Sequence, residues 1–225
     1  MIWQDEGFLL GKRKFRENAN IIDVFTNTYG KVSGIVYGAN SRKIRNYLQI
    51  SNKILIFYNS KSENKIGYFK TELIEPICPK YFGDKKRTSA LLSLSSILNL
   101  LMQEYQPNKF VYDSVSNLIQ NFNEPNWYIL YIYWELNLIK ELGYNPNLSQ
   151  FTTTDFINDT FNISIDGSKY NVPAYLLKNE LPKNISSEII RKSLVFTRSI
   201  MKNKFFDPNN LMFPQSRIVL ENYFN

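Results

Sequence analysis

The side chains best suited to chemistry in this chain are cations. Lys12, Arg13, Lys14 and Arg16 crowd one short stretch and Arg42, Lys43 and Arg45 a second, with Lys31 between them and Tyr37 and Tyr47 beside the second cluster. Cations that track a sugar-phosphate chain, next to rings that stack on bases, make a sequence-tolerant surface for single-stranded nucleic acid. The expected DNA-binding set is therefore Lys12, Arg13, Lys14, Arg16, Lys31, Tyr37, Arg42, Lys43 and Arg45. A solvated face is the commoner meaning of a charge run, but two such clusters within one small domain favour a binding surface.

Other chemistries fail on residue type. None of the 225 residues is histidine, which removes Ser-His-Asp and Cys-His catalysis and the commonest zinc ligand. Cys78 is the single cysteine, so the chain builds neither a thiolate zinc site nor an internal disulfide. Gly7-Phe8-Leu9-Leu10-Gly11-Lys12-Arg13 superficially resembles a phosphate-binding loop. Three residues rather than four separate its glycines, however, and Arg13 stands where Ser or Thr would hold magnesium. Asp5 and Glu6 are adjacent and point to opposite faces of an extended chain. Glu135, amid the aromatics of a buried helix, reads as a helix-end or interhelical hydrogen-bond anchor rather than a catalytic acid. The expectation is a non-enzyme with no catalytic residue, metal or cofactor.

Charge and periodicity indicate the elements that must position these cations. The 27 Lys and Arg against 20 Asp and Glu give +7, distributed as +5 over residues 1–79, +3 over 80–87 and −1 over 88–225. Such asymmetry divides a chain into units with different partners. Prolines, a glycine and a charge run between Pro76 and Arg87 mark the division, giving expected domains of residues 1–79 and 80–225. In the first, β-branched and aromatic runs at Phe8–Lys14, Ile21–Thr26, Val32–Tyr37, Ile54–Tyr58 and Ile66–Ile74 alternate with turn signals at Asn27–Gly30 and Asn59–Lys65. Residues 41–51 leave room for a helical turn. Five strands in so short a stretch suit a small barrel, because closure removes exposed edges. An OB-type barrel is the first choice and an SH3-type barrel the alternative.

Beyond Arg87 the apolar period changes to about 3.6 residues. Helices are expected from Thr88 or Ser89 through Leu101, from Phe110 to Phe122, and from Trp127 to Leu142 with Gly143 as its C-cap. A further helix starts at Ser186 or Ser187, and a short one ends near Tyr223. Residues 161–172 read as a hairpin turning at Asp166-Gly167. The overall class is α+β, a five-stranded OB-type barrel followed by a mainly helical domain with a hairpin insertion. The acidic start, Met1 to Glu6, lacks a signal-peptide layout, and the longest apolar stretch, Trp127–Trp134, is too short for a membrane span. A cytoplasmic protein is expected.

The order of these motifs resembles the bacterial RecO recombination and DNA repair proteins. The resemblance is carried by Asp5-Glu6-Gly7-Phe8-Leu9-Leu10 and the basic stretch to Glu17, by Ile22–Thr26, Tyr29-Gly30-Lys31 and Tyr37–Lys43, and by Leu48-Gln49. It continues through Trp134-Glu135-Leu136, Leu142-Gly143-Tyr144, Phe196-Thr197-Arg198 and Ser216-Arg217. It implies an OB domain, a helical domain and a non-enzymatic part in recombinational repair. Single strands would be bound and annealed together with RecR and single-stranded DNA-binding protein, so that RecA is loaded at the nucleoid. Two departures stand out. Relatives often carry a four-cysteine zinc site where residues 145–172 have no cysteine, so this hairpin must hold without metal. Relatives also often place Arg before the aromatic-Glu-Leu pattern, where Ile132 and Tyr133 stand here. Lys140, Arg198 and Arg217 are the cations left to meet the partner's acidic C-terminal tail. The competing expectation is a protein-interaction adaptor with no direct DNA-binding role.

Overall fold

Runs rich in β-branched and aromatic residues produce five strands, β1 (Ile2–Arg16), β2 (Ala19–Thr26), β3 (Gly30–Tyr37), β4 (Lys53–Asn59) and β5 (Gly67–Glu75). The computed structural model describes residues 1–60, 66–151, 159–178 and 185–225; most of the expected Asn59–Lys65 hairpin tip lies outside the described residues. Leu9, Ile22, Val24, Val32, Val36, Ile54, Ile56, Tyr58 and Phe69 form one buried core. The strands enclose it by closing in the order β1-β2-β3-β5-β4, with β4 returning to β1. All pairings are antiparallel except β3 with β5, which meet in parallel at Gly34↔Gly67 and Ile35↔Tyr68. This is the OB-type barrel anticipated from the strand pattern.

β1 is long because it serves two neighbours. Residues Ile2 to Phe8 pair with β4 and Gly7 to Arg16 with β2, and the register slips between Leu9 and Gly11 and between Lys14 and Arg16. Such bulges bend a strand around a barrel corner. The run Gln4-Asp5-Glu6 hides its first half from a hydrophobicity reading. The charges are nevertheless accommodated, since Lys53 Nζ lies 2.6 Å from Glu6 and the Thr28 amide donates to Asp5 at 2.7 Å. Gly30, at φ +70°, closes the β2–β3 turn where a Cβ would stand 2.2 Å from the Gln106 carbonyl, so only glycine meets both demands. The β3–β4 connection holds α1 (Arg42–Tyr47), capped by Ser41, with Leu48 buried in the barrel core and the Tyr47 hydroxyl donating to the Thr71 carbonyl at 2.7 Å.

The chain separates into two compact units, Met1–Asp113 with Pro214–Arg217 and Ser114–Phe213 with Ile218–Asn225. The first includes α2 (Lys85–Leu101), whose Leu91 carbonyl accepts the buried Ser51 hydroxyl and whose Ser95 hydroxyl is hydrogen-bonded to the same Ser51 oxygen. The N-cap of α2 is Asp84 rather than Thr88 or Ser89, because the Asp84 carboxylate accepts the Arg87 amide at 3.0 Å and pairs with its guanidinium. The division between units falls inside α3 (Lys109–Gln120). Phe110, expected on the apolar face of α3, is exposed instead.

The second unit is built on α4 (Trp127–Glu141), nearly all of whose apolar residues are buried, with α6 (Ser187–Met201) against it. Gly143, at φ +94°, terminates α4 as expected. The hairpin is β6 (Thr160–Ile165) and β7 (Ser168–Pro173), turning through Asp166 and Gly167 with φ of 49° and 77°. Its tip is held by polar contacts: Tyr144 and Lys204 donate to the Asp166 carboxylate at 2.9 and 2.7 Å, and the Lys204 ammonium sits 4.4 Å from the Tyr144 ring centroid. Lys204 lies in a π-helical turn, Lys202–Phe206, that follows α6. The short α5 (Ala174–Lys178) follows Pro173, and α7 (Gln215–Asn222) ends the fold near Tyr223. No helix among the described residues is long and apolar enough to cross a membrane.

Candidate nucleic-acid interface

Strand alternation divides the first basic cluster. Lys12 and Lys14 fall on one face of β1 and Arg13 on the other. Lys12 donates to the Leu48 carbonyl at 2.8 Å, just beyond the C-terminal end of α1. Its pKa is lowered, first by burial and then by the repulsion of Arg45, so the two basic clusters are electrostatic neighbours in the fold. Lys14 and Arg16 are exposed at the far end of β1, with Arg16 beside the Phe15 ring. Arg42, Lys43 and Arg45 are exposed on α1. Among the described residues none of Lys14, Arg16, Arg42, Lys43 and Arg45 is ion-paired, which leaves their charge available to an anion.

Two members of the expected set are placed differently. Arg13 lies 2.8 Å from Asp23, a buried carboxylate that also accepts the Ser33 hydroxyl at 2.7 Å and the Asn99 amide at 3.4 Å. Its guanidinium is engaged in holding that carboxylate. Lys31 points to the end of α2, donating to the Asn99 carbonyl at 2.8 Å, and burial lowers its pKa against the pull of Glu104 and Asp23. Gly11 makes room for this network, since a Cβ there would stand 2.8 Å from both Asn99 Nδ2 and Asp23 Oδ2.

Tyr37 ends β3 with its ring at the surface, beside Tyr68 on β5. Between α1 and the strands runs a groove of about 700 Å³ whose walls include Ile44, Phe57, Phe69 and both tyrosines, with Lys70 and Glu72 as its charged lining residues. Tyr68 and Lys70 escaped the sequence reading. The strand Ile66–Ile74 was legible, but its parallel pairing with β3, which sets Tyr68 opposite Ile35, was not.

In the second unit Lys140 is exposed on α4 and borders two adjoining depressions, one reaching Asn145–Ser149 and Leu176, the other Asn117, Asn121 and Trp134. Arg198 makes a two-pronged pair with Glu221, at 2.9 and 3.2 Å. Arg217 belongs to the barrel unit and is 0% exposed, which keeps its guanidinium from a ligand in solution. Glu135, also fully buried, accepts the Thr197 hydroxyl and so joins α4 to α6, the anchoring role expected of it.

A closed OB-type barrel with exposed cations and exposed rings, continued by a helical unit bearing a β-hairpin, defines a class of two-unit barrel proteins. Residues 1–77 match the family Recombination protein O N terminal, and residues 83–209 match Recombination protein O C terminal. The chain belongs to the RecO family. It is 29% identical over 165 residues to the DNA repair protein RecO of Roseobacter denitrificans, covering 73% of this chain and 68% of that one. It is 31% identical over 156 residues to the RecO of a Wolbachia species from Drosophila simulans, covering 68% and 64%. The matched stretch thus spans about two thirds of the relatives' own length. Among solved structures, an Entamoeba histolytica asparaginyl-tRNA synthetase aligns over 95% of this chain and 60% of its own, with 10% identity and a TM-score of 0.30, too low to signify a common fold.

Proposed function

We propose that this protein is a non-enzymatic mediator of recombinational DNA repair that binds single-stranded DNA on the flank of its barrel and anneals complementary strands. The observation that supports the reading is that Lys12 of β1 donates to the Leu48 carbonyl at the end of α1 and feels the charge of Arg45, while Lys14 and Arg16 of β1 and Arg42 and Lys43 of α1 are exposed without an ion pair among the described residues. Annealing is limited by repulsion between two polyanions. Cations that neutralise phosphates and release their counterions lower that repulsion, which also makes binding fall with salt.

The partners suggested by family membership are RecR, the acidic C-terminal tail of single-stranded DNA-binding protein and, indirectly, RecA, in the cytoplasm at the nucleoid. Of the three cations proposed for the tail, Lys140 has the exposure and the adjoining depressions such a peptide requires, whereas Arg198 is paired and Arg217 buried. The test is annealing of two labelled complementary oligonucleotides, alone and coated with single-stranded DNA-binding protein. Acceleration that disappears when Arg42, Lys43 and Arg45 are reversed to Glu supports the reading. Negligible DNA affinity with intact partner binding would replace it with a pure interaction adaptor.

A further inference from the structure

We infer that Tyr37 and Tyr68 form a base-stacking platform, so that the barrel flank selects unpaired bases and not merely phosphates; this rests on the DNA-binding reading above and specifies its ligand. The two rings come from strands that are distant in sequence. The parallel register sets Tyr68 opposite Ile35, and Tyr37 is the next residue of β3 on that face. Their centroids are 5.5 Å apart with planes 26° from parallel. Strand alternation turns Val36 and Phe69 into the barrel core and the adjacent Tyr37 and Tyr68 away from it. Phe69 and Tyr58 already fill it, and they lie so close to the backbone of Gly34 and Gly67 that a Cβ would stand 2.5 Å from Phe69 or 2.3 Å from Tyr58.

The tyrosines are consequently displayed outward, 51% and 43% exposed. Rings of this size gain by burial, and two side by side in water, backed by Val36, Ile44, Phe57 and Phe69 in the same groove, form an apolar patch suited to a planar apolar ligand. Charge complementarity identifies that ligand. Ile44 of the groove belongs to the helix that carries Arg42, Lys43 and Arg45, three cations that outweigh the Glu72 carboxylate lining the groove together with Lys70. A chain whose phosphates follow α1 therefore presents its bases to the rings. Duplex DNA cannot occupy the platform in this way, because its base faces are already stacked on one another.

The experiment measures fluorescence anisotropy with three probes of equal length: oligothymidylate, an abasic deoxyribose-phosphate oligomer, and a duplex. The stacking platform predicts that the wild type binds oligothymidylate roughly 5- to 150-fold more tightly than the abasic oligomer, the range expected for one stacked base. Tyr37→Ala and Tyr68→Ala should each remove most of that preference while leaving abasic binding and its salt dependence unchanged. Tyr37→Phe and Tyr68→Phe should retain it, which also controls for misfolding. Equal affinity of the wild type for oligothymidylate and the abasic oligomer, as expected if a protein segment fills the groove instead, overturns the platform and leaves phosphate binding standing. Absence of binding to all three probes overturns both readings.

Discussion

Replacing Arg42, Lys43 and Arg45 together by alanine should halve the salt dependence of DNA binding without unfolding the barrel. On the proposed reading six exposed cations meet phosphate: Lys12, Lys14, Arg16, Arg42, Lys43 and Arg45. Each phosphate neutralised on a single strand contributes about 0.7 to the slope of log affinity against log salt, so six contacts give a slope near −4 and a loss of roughly 300-fold between about 50 and 200 mM. With three contacts left the slope falls to about −2 and the loss to roughly 20-fold. Alanine is a strong helix former, and α1 is held by its Ser41 cap, Tyr47 and Leu48, none of which changes. Anisotropy of a labelled oligothymidylate titrated with salt reads the slope directly. Arg13→Ala serves as the internal control, because its guanidinium is engaged by Asp23 and should contribute less than a full contact. An unchanged slope in the triple variant, or a drop in Arg13→Ala as large as in Arg42→Ala, would refute the assignment.

Three further outcomes follow from the same geometry. Asp23→Ala removes a buried acceptor shared by Arg13, Ser33 and Asn99 and should cost about 1–3 kcal/mol in urea unfolding, discounted because Arg13 is half exposed; a wild-type midpoint would show the network to be decorative. Thr197→Val takes the hydroxyl from buried Glu135 and should destabilise the helical unit by about 1–3 kcal/mol, visible as an earlier thermal transition; an unshifted transition would count against the α4–α6 anchor. The Asp166 carboxyl is held below its usual range by the hydrogen bond from Lys204 and then by that from Tyr144. Because the folded-state pKa is the lower one, the stabilisation is complete above the ordinary carboxylate value of about 3.9 and is lost as pH falls through the depressed value. Amide exchange protection of β6 and β7, corrected for intrinsic rates, should therefore stay level from neutral pH to about 5 and weaken only in stronger acid. Asp166→Asn should weaken it wherever the wild-type carboxylate is ionised and converge with the wild type in strong acid, and unchanged protection in that variant at neutral pH would remove the tether from the account.

Much of this architecture was legible because its signals are local. Asp166-Gly167 needs positive φ at both residues, Gly30 must close a turn, and Ser186 stands where a helix needs an N-terminal acceptor; each requirement is met within a few residues of chain. The first half of β1 was not legible, since Asp5 and Glu6 become tolerable in a strand only through Thr28 and Lys53, partners that arrive from elsewhere. Asp84 was passed over as a cap because the proline- and glycine-bearing run before it reads as a linker. The binding set suffered in the same way. Charge and ring type selected Lys12, Lys14, Arg16, Tyr37 and the α1 cations, but composition cannot distinguish an arginine facing solvent from one facing Asp23 or one folded wholly inside, as Arg217 is.

From residue order alone came the barrel, the helices behind it, the lack of histidine and of any cysteine pair, and the concentration of positive charge at the front, because alternation, helical period, turn chemistry and composition are properties of the chain itself. Which cations go without an ion pair among the described residues, that Tyr68 stands beside Tyr37, and that the tip of the hairpin is clasped by Tyr144 and Lys204 were decided by tertiary structure. Strand register and helix packing bring together residues far apart in sequence, and a side chain's partners determine whether its charge is spent within the protein or remains for a ligand.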